Sequence, residues 1–407
     1  MVYFQSYLQV TVEKFPKLRF PEFKEPWNLV KLEDVCSHRK GRAKVKKAQY
    51  ISTENILQNY AGIEPYDDLS EAEGISIQCG DTLMANIRPY LKKVWQSNFN
   101  GACSTDVLAF SPDNIDGKFL YFLIAQDRFV NYVMCGAKGS KMPRGDKNHI
   151  LEYETGVPTE SEQRKIAHFI DLLNARISSQ NSLINLIKKY KRGLSNKLFE
   201  DYSNNWIAAK FADVFKLLQN NTFSRAELTC EETEILNIHY GDVLIKYGDI
   251  LDLSKVCDIP FIKNNIDLKR YSETSYLKNG DVVIADTAED YTVGKTIEIF
   301  SASGKRILSG LHTIPCRSLI SFEAKYLGYY LNSYSFRKQI LPLIQGTKVS
   351  SISKSELQKV KVKYPEPKEQ KRIVSILSLI DEKIYIAEHQ LTFLKICKDG
   401  LLQQMFI

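Results

Sequence analysis

Apolar residues recur at alternating steps of three and four along two stretches of this chain. The first runs through Ile166, Ile170, Leu173, Ile177, Ile184, Ile187, Leu194 and Leu198, the second through Ile373, Leu377, Ile380, Ile384, Ala387, Leu391, Leu394, Leu401 and Met405. Such spacing predicts two helices, each with a single apolar seam of heptad type. Each would run about 40 residues, on the order of 60 Å at 1.5 Å per residue. A helix of that length with one apolar stripe needs a partner, and the other copy is the obvious one, giving an antiparallel coiled coil. Thr159-x-x-Glu162 reads as a capping box at the first start, and Pro365 with Pro367 suits an entry that needs no amide donor. Lys191 and Lys398 fall on the seam at equivalent places, where a cation either helps specify register or snorkels at the stripe's edge.

The two stretches are copies of one another. Residues 158–199 align with 365–406 without a gap, 207 positions on, and 11 of the 42 positions are identical. Pro158, Glu162 and Gln163 open the first copy, and Pro365, Glu369 and Gln370 open the second. The regions ahead of each helix read as mixed α and β and share landmarks. Both begin with a Trp and a following Asp-Val (Trp27, Trp206), and both carry a Gly-Asp turn before a short apolar strand (Gly80-Asp81, Gly280-Asp281). Both also carry a late glycine turn, "GSKM" from Gly139 and "GTKV" from Gly346. Between these landmarks they diverge strongly. The expected architecture is α+β with pseudo-two-fold symmetry: a variable domain over 1–157, a helix over 158–199, a second variable domain over 200–364 and a helix over 365–407.

At 407 residues with 44% hydrophobic and 25% charged side chains, the chain has room for two cores, and disorder has no compositional support. Apolar runs such as Val282 to Ala285 fall far short of the ~20 residues of a membrane span. The opening residues lack the basic and apolar regions of an export signal, so a cytoplasmic protein is expected. Eight cysteines without a C-x-x-C pair suggest free thiols. The net charge of +7 is mild but uneven. Residues 27–157 hold 16 basic and 16 acidic side chains, whereas 159–199 hold 8 and 3.

Catalytic constellations do not emerge. No Asn/Asp-Pro-Pro-aromatic loop or glycine-rich cofactor turn marks a methyltransferase, and "VGKT" at Val293 lacks the glycine that a phosphate-binding loop needs at Glu289. "PDNIDGK" from Pro112 has the composition of a turn, the six histidines show no metal spacing, and no G-x-S-x-G elbow frames a nucleophile. A non-catalytic chain that binds neither metal nor cofactor is expected.

Basic stretches point to nucleic acid instead. Arg39, Lys40, Arg42, Lys44, Lys46 and Lys47 crowd one segment, and Lys138, Ser140, Lys141 and Arg144 surround the first late glycine turn. Ammonium groups, a hydroxyl and backbone amides at one tight turn can grip a phosphate. Thr347 and Lys348 repeat that chemistry in the second region. Arg88, Lys246, Lys295, Lys305 and Arg306 are further candidates, each weak alone.

The twin openings "PTESEQRKIA" and "PEPKEQKRIV", the helix ends "KYKRGLSNKLF" and "ICKDGLLQQMF", and the entry "PKLRFPEF" ahead of Trp27 resemble the DNA-specificity subunits of type I restriction-modification systems. The resemblance covers essentially the whole chain. It implies two target-recognition domains on double-stranded DNA, each reading half of a split asymmetric sequence and held apart by the helix pair. It also implies that the helices, with Glu162, Gln163, Glu369 and Gln370 as partner-binding positions, dock two modification (methyltransferase) subunits, and that restriction (motor/nuclease) subunits join through them. S-adenosylmethionine, ATP and Mg would then belong to those partners. The rival expectation is a coiled-coil scaffold that binds only proteins and has no DNA specificity.

Overall fold

A computed structural model describes residues 15–200, 206–346 and 349–407. The chain forms two compact units, Met1–Asn181 with His389–Ile407, and Ser182–Glu388. The two predicted helices are present at Glu160–Glu200 and Pro367–Met405, 41 and 39 residues long. Every seam position named above is buried or half-buried. Each unit therefore contains part of both long helices. Among the described residues no helix is long and apolar enough to cross a membrane.

In the first unit one four-stranded antiparallel sheet runs in the order Cys36–His38, Val107–Pro112, Thr82–Ala85, Val94–Gln96. A second runs Arg42–Lys46, Glu71–Ile77, Gly101–Cys103, Tyr50–Ile51. The strand Asn28–Lys31 pairs with Glu154–Val157 just ahead of the long helix. Asp116 is the N-cap of the helix Gly117–Ile124, its carboxylate accepting from the amides of Lys118 and Phe119, so the turn read in "PDNIDGK" is a helix start. The core gathers Trp27, Phe119, Phe129, Ile166 and Ile170 with Met405, Phe406 and Ile407 from the end of the second long helix. Phe406 stacks on Phe119 with centroids 5.1 Å apart. Across the long helices, Gln180 Nε2 donates to Gln390 Oε1 at 3.1 Å.

The second unit repeats this plan with longer excursions. A five-stranded sheet runs Phe215–Leu217, Thr313–Ser318, Val282–Ala285, Thr296–Phe300, Ile250–Asp252. A four-stranded sheet runs Leu228–Thr229, Phe261–Ile262, Ile235–Ile238, Arg306–Ser309. Strand Ile207–Lys210 pairs with Lys361–Tyr364, in the position that Asn28–Lys31 and Glu154–Val157 occupy in the first unit. Lys188 of the first long helix bonds Glu388 at 2.7 Å and Lys191 bonds Asp381 at 2.6 Å, so these segments run in opposite senses.

Both Gly-Asp turns perform the same task. Gly80 and Gly280 take φ of +94° and +82°, a region glycine enters without steric cost. The Asp that follows is buried and accepts from the amide three residues back, Gln78 for Asp81 and Lys278 for Asp281. Its remaining lone pairs hold an arginine of a neighbouring strand or strand end. Asp81 takes Arg39 at 2.9 and 3.0 Å, and Asp281 takes Arg317 at 2.9 and 2.6 Å. The bond to Asp281 raises the Arg317 pKa above its ordinary value.

Candidate nucleic-acid interface

The strand Arg42–Lys46 alternates exposed and half-buried positions, so Arg42, Lys44 and Lys46 share its exposed face. Pairing with Glu71–Ile77 sets Glu73 opposite Lys44 and Glu71 opposite Lys46, and Arg42 contacts Glu73 at 3.4 Å. Opposite charges across a strand pair attract, and they mute the field this stretch would otherwise project. Lys40 is exposed. Lys47 is half-buried, with Nζ 3.1 Å from Asp68 and over the Tyr66 ring.

Two cations expected at a DNA surface are internal supports. Arg39 is held by Asp81 and by Gln78 Oε1 at 2.8 Å, fixing strand end to turn. Lys295 is half-buried and donates to the carbonyls of Leu244 and Tyr247 at 3.0 and 2.7 Å, and burial lowers its pKa. Three others are exposed to differing degrees but engaged: Lys246 with Asp258 at 2.7 Å, Lys305 with the Leu253 carbonyl at 2.6 Å, and Arg306 with Glu234 and Glu273. Thr347 and Lys348 lie outside the described residues.

The late glycine turn of the first unit is the tip of a hairpin. Lys138 and Arg144 exchange backbone hydrogen bonds at 2.9 Å each way, Gly139 takes φ +93°, and Ser140, Lys141 and Met142 are exposed. Lys138 reaches Asp146 at 2.6 Å and Arg144 reaches Asp106 at 3.1 Å, whereas Lys141 at the tip makes no ion pair among the described residues. In the second unit Gln345 and Ser351 exchange the equivalent bonds at 2.9 and 2.8 Å. Gly346 has φ +105°, and a Cβ there would stand 2.0 Å from the Val349 carbonyl oxygen, so only glycine fits.

Each hairpin is joined to its sheet by the same backbone frame. In the first unit Asn86 N donates to Asp106 O at 2.8 Å, Gly145 N to Asn86 O at 3.3 Å, and Ile87 bridges Arg144. In the second, Asp286 N donates to His312 O at 3.1 Å, Ile352 N to Asp286 O at 2.9 Å, and Thr287 pairs with Ser351. The side chains on the frame differ. Arg88 is exposed with its backbone at φ +53°, and its amide donates to Pro143 O at 2.8 Å. His312, at φ +55°, is exposed, with Nδ1 3.5 Å from Asp286 Oδ1 and its ring edge-on to Tyr240. Asp106, Asp286, Thr287 and His312 were not among the sequence candidates.

A family profile described as the type I restriction modification DNA specificity domain matches residues 24–189 and 204–395. The chain belongs to this DNA-specificity family. The type I restriction enzyme MjaVIII specificity subunit of Methanocaldococcus jannaschii is 22% identical, over 95% of this chain and 92% of that one. The EcoDI specificity subunit of Escherichia coli is 20% identical over 43% of this chain and 41% of its own length. Among solved structures, the type I system S subunit from M. genitalium superposes with a TM-score of 0.54 at 15% identity, covering 97% of this chain and 99% of that one. A chain from a study of complex assembly and conformational transition in the type I system gives 0.58 at 18% identity, covering 94% and 98%. These superpositions establish a shared fold.

Within this specificity-family chain the Glu-Gln helix openings lie largely inside the protein, which corrects their expected role as partner-binding side chains. Gln163 Oε1 accepts from Asp116 N and its Nε2 donates to Pro158 O, both at 2.8 Å. Gln370 does the same with Glu323 N and Pro365 O, at 2.9 Å each. Glu162 is fully buried, accepting from Arg19 twice at 2.7 Å and from Trp27 Nε1 at 3.3 Å. Only Glu369 keeps partial exposure, beside Arg372 at 3.3 Å. A buried amide bonded at both ends locks a helix start to its domain. No group of three or more metal-ligating side chains occurs among the described residues.

Proposed function

We infer that this chain is the address-reading, non-catalytic subunit of a type I restriction-modification complex, and that its target is two short DNA sequences separated by a fixed gap. The observation that carries this reading is the duplicated frame. Each unit has its own core and its own glycine hairpin on an equivalent backbone, with different side chains around it. One reading head repeated with altered chemistry suits a target of two unlike halves. The long helices then act as a spacer, pairing as an antiparallel coiled coil with pseudo-two-fold symmetry. Gln180 with Gln390 in one unit, and Lys188 with Glu388 in the other, support that pairing.

Exposed apolar positions that recur in both copies support docking of two methyltransferase subunits. Leu172 and Leu379 occupy one equivalent position and are 57% and 67% exposed; Leu186 and Phe393 occupy another at 63% and 65%. Large apolar side chains held in water at matching places in two copies are what two identical partners would cover. Those partners would supply S-adenosylmethionine chemistry, and restriction subunits would supply ATP- and Mg-dependent cleavage.

A mobility-shift assay with the cognate methyltransferase subunit tests the reading. A split site with an unspecified gap is expected, and inserting four residues, about one turn, into both long helices should change the gap and spare both halves. Altered halves would overturn the spacer role. Lys141→Ala should weaken binding to all sequences alike and lower the salt slope by about 1.

A further inference from the structure

Base reading requires side chains that are exposed, rigidly based and close to the groups that hold the phosphates, yet free to differ between two halves of a target. The frame that ties each hairpin to its sheet carries side chains of this kind: Arg88, Arg144 and His312 are exposed, with Asp106, Asp286 and Thr287 half-buried beside them. Its backbone bonds are the same in both units, while equivalent positions carry Arg88, Asp106 and Arg144 in the first and Ala288, His312 and Ser351 in the second. The constant part is backbone. The variable part is the side chains, exposed at Arg88, Arg144, His312 and Ser351 and buried at Ala288.

Backbone conformation adds an independent argument. Arg88 and His312 both sit in the left-handed region, at φ +53° and +55°, where a side chain strains the backbone and glycine does not. Neither position is glycine. A guanidinium and an imidazole occupy these two positions, and both are exposed. The Arg88 guanidinium makes no ion pair among the described residues, whereas Arg144 is aimed by Asp106 at 3.1 Å. In the second unit Thr287 Oγ1 donates to Asp286 at 2.7 Å, and that carboxylate faces His312, so the ring is backed by a hydrogen-bonded acid.

Resting on the reading of this chain as a DNA-specificity subunit, we propose that the first half-site is discriminated by Arg88 with the Arg144–Asp106 pair and the second by His312 with Asp286 and Thr287. Arg88 reads a guanine. A guanidinium fork matches the two acceptors, O6 and N7, that guanine alone presents together in the major groove.

The test is a methylation map of cells carrying the complete complex with wild-type, R88A, R88G or H312A chain. R88A and R88G should relax one guanine position of one half by about 10- to 100-fold and leave the other half as selective as in wild type. H312A should do the reverse. The untouched half is an internal control for folding, and R88G guards against misfolding because glycine relieves the strain at that φ. Unchanged selectivity in R88G, or equal relaxation of both halves by any one variant, overturns the proposal. A wild-type map with no split target overturns the functional reading together with it, whereas a split target indifferent to these residues overturns the proposal alone.

Discussion

Lys191 Nζ lies 2.6 Å from Asp381 Oδ1, joining the first long helix to the second within the second unit. The same ammonium is 2.6 Å from Asp249 Oδ2 and stands over the Tyr329 ring, so one cation ties both helices to the domain. Burial pulls its pKa down, but the pull of Asp249 and Asp381 prevails and leaves it raised. Its repeat equivalent, Lys398, makes no ion pair among the described residues: Asp381 corresponds to Asn174 in the other copy, and burial lowers the Lys398 pKa. Lys191→Met should therefore destabilise the protein by about 2 kcal/mol, leaving two carboxylates facing each other. Lys398→Met should be neutral or stabilising, because a desolvated ammonium is replaced by an apolar chain of similar length. Urea unfolding of both variants checks the contrast, and equal effects would contradict it.

The Gln163 and Gln370 locks make a second prediction. Removing either side chain strands an amide and a carbonyl that were paired, at a cost of about 1–3 kcal/mol. Gln163→Ala should speed hydrogen exchange at the Asp116 amide and leave Glu323 protected, and Gln370→Ala should do the opposite. Exchange rising at both amides in either variant would mean that the locks are not local to their units.

These contrasts separate what the sequence makes legible from what only the fold supplies. The seam was readable because helical period is local, and the twin Glu-Gln openings were readable because the helix copies align without a gap. Their task was not readable, since Asp116 and Arg19 meet them only through the fold. Cation runs misled for the same reason. Nothing in "RKGRAKVKK" says that Asp81 will claim Arg39 or that strand register will set Glu71 and Glu73 against Lys46 and Lys44. His312 and Asp286 escaped notice because loops of unequal length separate the landmarks. Asp106 and His312 are 206 apart and Asn86 and Asp286 are 200 apart, so the 207-residue offset of the helices does not find them.

Glu298 gives the chain a pH-dependent element. It is buried in the second unit, and its oxygens accept from the amides of Lys325 at 2.5 Å and Gly328 at 2.8 Å. Burial pushes its carboxyl up to about 7 against the opposing effect of those amides. The folded state thus binds a proton that the unfolded state, with an ordinary carboxyl near 4.5, releases earlier. Stability contributed by this group is present below about pH 4.5 and is lost as pH rises toward 7. Glu298→Gln should leave stability at pH 5 close to wild type, because the amide resembles the neutral acid that the folded state holds there, and should flatten the fall between pH 5 and 7. Thermal unfolding across that range reads both effects, and an unchanged slope would remove Glu298 as the cause.

The outward apolar positions of the long helices allow partner number to be tested separately in each unit. Leu186 and Leu379 belong to the second unit, Leu172 and Phe393 to the first, and all four are more than half exposed. Covering a leucine contributes about 1.5–3 kcal/mol, so a buried glutamate in its place should weaken a docked partner at least tenfold. Leu186→Glu with Leu379→Glu should reduce the complex from two methyltransferase subunits to one, and Leu172→Glu with Phe393→Glu should do so at the other end. All four changes together should leave the chain folded but alone, because these side chains already face water. Native mass spectrometry reads the stoichiometry directly. Two partners retained by the fourfold variant would move the docking surface elsewhere on the chain.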